Sequence, residues 1–69
     1  MSRRLEEGPT FEMACIFKVE TDKAVLIYDP ASEEEVWIPL SQVCEMHKNK
    51  KGEGTIVMTE WIAKQKGLA

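Results

Sequence analysis

The chain has little of the material from which catalytic and metal sites are built. Its 69 residues include one histidine, two cysteines and four glycines. Cys44 and His47 have opposite parity on one predicted strand, so the thiol and the imidazole should point to opposite faces and cannot act as a nucleophile and its base. No C-x-x-C element marks a zinc site. The "GEG" at residues 52–54 is not followed by a helix that could cradle phosphate. We therefore expect no enzyme, no cofactor and no metal.

Long apolar runs and a strong basic charge are also missing. No stretch approaches the ~20 apolar residues that span a bilayer, and the N-terminal "MSRRLEEGPT" has no apolar core of a secretory signal. The net charge of −3 disfavours a strongly basic nucleic-acid binder. These absences predict a soluble cytoplasmic protein that does not bind membranes. In that compartment Cys15 and Cys44 would be buried thiols; in an exported chain they could form a disulfide.

The sequence does contain strong β-strand patterns. Residues 1–9 are polar and aperiodic, which predicts a flexible N-terminal arm, and residues 10–69 should form a single domain. In "FEMACIFKV" the apolar residues alternate, with Phe11, Met13, Cys15, Phe17 and Val19 on one side. Four further strands are predicted in "AVLIYD", "EVWIPL", "VCEMHK" and "TIVMT", with a single 3₁₀ turn at "SQV".

The last segment, "TEWIAKQKGLA", changes to a helical period. Thr59 is a good N-cap and Gly67 occupies the position of a left-handed C′ residue, from which Leu68 can fold back. A two-turn helix cannot persist alone, so we expect it to dock on the sheet through a buried Trp61. The fold class is therefore mainly β: a small five-stranded antiparallel barrel, SH3-like or alternatively OB-like, with a short C-terminal α-helix.

The uneven distribution of charge along the chain suggests two candidate binding surfaces. Residues 1–47 carry a net charge of −6 and residues 48–69 a net charge of +3. The first surface, for a protein partner, combines aromatic and acidic residues: Trp37, Tyr28, Glu33, Glu34 and Glu35. The second, for single-stranded nucleic acid, combines a lysine loop with a ring that can stack on bases: Lys48, Lys50, Lys51 and His47. The other interpretation is that the lysines only keep an exposed hairpin tip soluble.

Trp37 has two interpretations that the sequence leaves open. It lies on the outer parity of its strand, beside Pro39. It either joins a cluster that receives the C-terminal helix or lies exposed as a recognition residue of the type that dominates protein interfaces.

Two stretches resemble a group of small, mostly uncharacterised bacterial and phage-encoded proteins. "VWIPLSQV" is similar to their strand end W-[IL]-P-x-S-Q, and "TEWIAKQKGL" to their C-terminal W-[IL]-A-x-x-K-G-[LI]. The likeness covers about the last 45 residues and implies a phage or mobile-element setting, in which small non-enzymatic proteins serve DNA metabolism or inhibit host machinery. Glu60 stands where these proteins often have proline.

Together these observations predict a non-catalytic module that binds a protein partner, with an action on host machinery implied by the resemblance. The alternative is a single-stranded nucleic-acid-binding protein of phage or bacterial DNA metabolism. A homodimer is a further prediction, in which the strand "FEMACIFKV" pairs through its edge with its own copy.

Overall fold

The fold is described from a computed structural model covering residues 8–69. The arm predicted at residues 1–9 therefore lies, apart from Gly8 and Pro9, outside the described residues. The elements follow the predicted order: β1 Thr10–Glu20, β2 Ala24–Asp29, β3 Glu34–Pro39, a 3₁₀ turn Leu40–Gln42, β4 Val43–Lys48, β5 Glu53–Thr59 and α1 Glu60–Gln65. The prediction of a mainly β fold with a short C-terminal helix is confirmed.

The five strands form one antiparallel sheet in the order β3-β2-β1-β5-β4. β3 and β4 are its edges and, within residues 8–69, do not pair with each other, so the predicted closed barrel does not form. β1 is the central strand and pairs with β2 on one side and β5 on the other. The prediction that β1 offers an edge to a second copy is therefore wrong, because its backbone groups are already used in two ladders.

One face of the sheet, here called the inner face, holds the core. Side chains from β1, β2, β3 and β5 meet there beneath α1, and the fully or nearly fully buried members are Cys15, Val25, Ile27, Ile38, Ile56, Met58, Ile62 and Ala63. α1 packs over the part of this core that β1 and β5 contribute. In this way the chain buries apolar surface without pairing its two edge strands.

A β-bulge at Lys18 changes the predicted pattern of β1. Phe17 pairs with Ile27, but Val19 pairs with Leu26, so β1 advances two residues while β2 advances one. The extra residue reverses the alternation of side chains beyond it. Val19 therefore lies on the outer face, 47% exposed, and its predicted place beside Phe17 in the core is wrong.

Both ends of α1 are capped as predicted. The Thr59 hydroxyl accepts a hydrogen bond from the Ile62 amide at 3.3 Å and donates one to the Gln42 side chain at 2.7 Å. Gly67 has φ 76°, and the Leu68 amide donates to the Ala63 carbonyl at 2.8 Å, which forms a Schellman motif.

The residue through which α1 docks differs from the prediction. Ile62 and Ala63 are buried, whereas Trp61 is 60% exposed. A helix this short can bury only a narrow stripe, and adjacent residues are separated by about 100° around its axis. Once Ile62 and Ala63 face the sheet, Trp61 must face away from it.

Gly54 fixes the close approach of β5 to β4. It lies opposite Cys15 on one side and Lys48 on the other, and a Cβ at this position would overlap the backbone carbonyl of His47. The sheet can therefore keep its register only with glycine here.

We expect Gly54→Ala to lower the free energy of unfolding by about 2 to 3 kcal/mol, because the methyl group must displace backbone rather than a flexible side chain. Urea denaturation measures the loss. Gly8→Ala is the matched control, since nothing lies within 4 Å of the added carbon, and it should stay within about 0.5 kcal/mol of the parent. Equal stability of the two variants would contradict this account of β5.

Candidate partner-binding face

The face of the sheet opposite α1, here called the outer face, carries a continuous apolar strip. The strand register places Val19 beside Leu26 and Leu26 beside Trp37, and one step along it places Ile16 beside Tyr28. Trp37 is 44% exposed. The helix packs on the inner face, so it does not cover Trp37, and the interpretation of Trp37 as an exposed residue agrees with the structure.

An acidic run borders this strip at one end. Glu35 pairs with Tyr28 and shares its face, whereas Glu34 pairs with Asp29 and has the opposite parity. Glu33 precedes them in the β2–β3 turn, where the Asp29 side chain accepts hydrogen bonds from the Ala31 amide and the Ser32 hydroxyl. All three glutamates are exposed.

Of the charged residues around the strip, Lys18 has an interaction partner, whereas the three glutamates form no ion pair in the described part of the chain. The Lys18 ammonium lies 5.5 Å from the centre of the Tyr28 ring, in cation–π contact. None of the ion pairs formed between residues 8–69 includes Glu33, Glu34 or Glu35. The three carboxylates at the acidic end of the strip therefore form no ion pair with the described residues.

The sequence pointed to Trp37, Tyr28 and the three glutamates but not to Val19, Ile16 or Leu26. Ile16 has the outward parity of β1, and "AVLIYD" is apolar on both parities, so a signal for Ile16 and Leu26 was present. Val19 had no such signal, because its position depends on the bulge at Lys18.

The residues of the alternative nucleic-acid site are not brought together on one face. His47 lies on the outer face opposite Thr55, and its Nε2 is 2.9 Å from a carboxylate oxygen of Glu45. Lys48 has the opposite parity: its ammonium is 3.7 Å from the Glu20 carboxylate and 5.6 Å from the centre of the Phe17 ring. Only Lys50 and Lys51 remain at the exposed hairpin tip.

The two cysteines differ in environment. Cys15 is buried in the core as a thiol, as predicted, whereas Cys44 is half-buried and lies in a β-bulge of β4, where Val43 rather than Cys44 is opposite Met58. Burial, with a smaller contribution from the negative charge of Asp29, raises the pKa of Cys15 to about 11. A thiol that resists ionisation is a poor nucleophile.

Two further findings concern metal binding and membrane insertion. No three His, Cys, Asp or Glu side chains of residues 8–69 are grouped so that they could hold a metal ion. The one α-helix in this part of the chain is far too short to cross a bilayer.

No protein-family model, curated protein or solved structure matches the chain.

Glu33 generates a prediction about the turn that presents the acidic run. Its φ of 61° is in the left-handed region, which costs a non-glycine residue roughly 1 to 2 kcal/mol. We expect Glu33→Gly to raise the free energy of unfolding by about 0.5 to 1 kcal/mol, because glycine removes this strain but loses more entropy on folding. Glu34→Gly, one residue into β3, should instead destabilise the protein. Thermal denaturation compares the stabilities of the two variants. Destabilisation by both would contradict the assignment of backbone strain to Glu33.

Cys15 generates a prediction about alkaline stability. In the unfolded chain the thiol ionises near pH 9, whereas in the folded chain it keeps its proton up to about pH 11. Because the folded state then binds the extra proton, the free energy of unfolding should fall between these pH values, by about 2 to 3 kcal/mol. Cys15→Ala cannot ionise and should lack this contribution. Parallel stability curves for the parent and Cys15→Ala between pH 8 and 11 would exclude it.

Proposed function

We propose that the chain is a non-catalytic binding module that recognises a protein partner through its outer face. The observation that carries the proposal is the apolar strip around Trp37. The strip spans three strands; its Val19 and Trp37 are exposed, and its other members are half-buried. An exposed apolar area bordered by polar residues marks an interaction surface more often than chance exposure does.

The composition of the face supports a protein rather than a small molecule or a nucleic acid as the ligand. Trp and Tyr supply large, rigid contact areas and are enriched among the residues that dominate protein interfaces. The strip lies on one face of a sheet that its described strands do not close into a barrel, whereas small-molecule sites are concave. Glu35 beside Tyr28 would repel the phosphates of a nucleic acid.

The charge of the face indicates the character of the partner. Three exposed glutamates that form no ion pair within residues 8–69 favour a basic partner surface and accelerate its encounter through long-range attraction. Such a surface fits the nucleic-acid-binding side of a host protein, which the phage or mobile-element setting implied by the resemblance would supply.

The nucleic-acid alternative has less support. His47 and Lys48 point to opposite sides of β4, and each has an acidic neighbour, Glu45 and Glu20 respectively. Two lysines at a hairpin tip provide charge but no aromatic platform, and a single-strand binder needs both.

The proposal predicts that Trp37→Ala lowers affinity for the captured partner at least tenfold while the fold remains intact. Removing an exposed side chain costs little stability, whereas loss of a central interface tryptophan costs about 2 kcal/mol or more of binding. Affinity is measured by titrating the partner, obtained by capture on the parent protein, against each variant.

Trp61→Ala is the matched control, because Trp61 is the more exposed tryptophan and lies on α1, on the other side of the sheet. It should leave affinity unchanged. Equal losses for the two variants, or none for Trp37→Ala, would show that the partner does not bind the outer face.

A further inference from the structure

The two edges of the sheet differ in regularity. β4 pairs with β5 through a ladder interrupted at Cys44, where the bulge twists the strand. β3 pairs with β2 at six successive positions without a shift, from Asp29 opposite Glu34 to Ala24 opposite Pro39. Bulges protect an edge from pairing with another chain, and β3 lacks this protection.

The hydrogen-bond pattern identifies the backbone groups that β3 presents. The Leu40 amide donates to the Lys23 carbonyl at 2.8 Å. Bonded and non-bonded pairs alternate along an antiparallel ladder, so Pro39 falls in a non-bonded pair, where its missing N–H costs nothing. Glu35 and Trp37 fall in the same class, and their N–H and C=O groups therefore point away from β2 toward the open edge.

The same two residues also carry the features of the outer face. The side chains of Glu35 and Trp37 lie on that face, beside Tyr28 and Leu26. The side chains of β3 change in character along the strand: Glu34 and Glu35 are acidic, and the residues from Val36 to Ile38 are apolar. An antiparallel strand added here would need apolar residues first and basic residues after them.

A second copy of β3 does not meet this requirement. A symmetric antiparallel pair that keeps both inner faces on one side must place residues of equal parity opposite each other. Centred on Val36, that register sets Glu35 against Trp37 and Glu34 against Ile38. Every glutamate would then meet an apolar residue and remain without a cation.

We propose that β3 accepts an extended segment of a partner protein as a sixth, antiparallel strand. The segment carries apolar residues followed by basic ones. Its backbone bonds to Glu35 and Trp37, its apolar side chains pack beside Trp37, and its basic side chains meet the acidic run. This inference rests on the proposed function, because it uses the same face, and adds the mode of binding and the chemistry of the ligand.

The probe is a capped hexapeptide, isoleucine-leucine-valine-lysine-lysine-lysine, titrated into the full-length protein. Leucine is placed opposite Trp37 and the first lysine opposite Glu35. Amide hydrogen exchange followed by NMR should slow at least tenfold at Glu35 and Trp37. It should change little at Glu34 and Val36, whose amides already bond to β2. Unchanged exchange at Glu35 and Trp37 under saturating peptide would overturn the inference.

Two N-methylated versions of the peptide provide matched controls. Methylation of the leucine and the first lysine removes the N–H groups that face β3 and should weaken binding at least tenfold. Methylation of the valine and the second lysine affects N–H groups that face away and should be tolerated. Equal affinity of the two versions would overturn strand addition, as would equal binding of a peptide with the reversed sequence.

A pair of protein variants tests the contribution of the outward N–H group of Glu35 to peptide binding. Glu35→Pro removes the outward N–H without removing a bond to β2, and Glu35→Ala removes only the carboxylate. The proline variant should bind the peptide at least fivefold more weakly than the alanine variant, and equal affinities would count against the inference. If strand addition fails while Trp37→Ala still abolishes partner capture, the outer face stands and only the mode of binding is wrong.

Discussion

A single short helix is all that the described chain has to cover a five-stranded sheet, and the remaining features follow from this constraint. α1 can shield one face only, so Ile62 and Ala63 close the core on the inner side. The outer face must then be stable in water with whatever residues it carries. Single apolar residues are ordinary on a solvated face, but this face places apolar residues side by side on three adjacent strands. The asymmetry between the two faces is thus what makes the outer face informative about function.

Strand alternation determined how much of this could be predicted. The positions of all five strands, the caps of α1 and the shared face of Tyr28, Glu35 and Trp37 follow from local patterns, because β2 and β3 pair in a regular register. Val19 could not be placed, since the extra residue at Lys18 has no local signature. The predicted burial of Trp61 is wrong for a related reason. In a two-turn helix either Trp61 or Ile62 can face the sheet, and only the geometry of the sheet determines which of them is buried.

Whether the sheet closes into a barrel cannot be predicted from the sequence, for a different reason. Five short strands at similar spacing are compatible with an open or a closed sheet, because closure depends on accumulated twist and on what else can cover the core. Here α1 packs on β1 and β5, and β3 and β4 remain apart as the two edges of the sheet. The lysine loop, by contrast, was open to prediction. His47 and Lys48 are consecutive residues of one strand, so alternation alone places their side chains on opposite faces.

The acidic run has two consequences at one position in the fold. Charge along an edge strand discourages pairing with identical chains, which compensates for the lack of a bulge in β3. The same charge favours a strand of opposite sign, so that repulsion of the wrong partner and attraction of the right one come from the same three side chains. Regular register, outward backbone groups, an aromatic side chain and unpaired carboxylates coincide at Glu35 and Trp37 and nowhere else among residues 8–69. That coincidence makes edge protection alone an insufficient explanation, because repulsion would require the carboxylates but not the tryptophan.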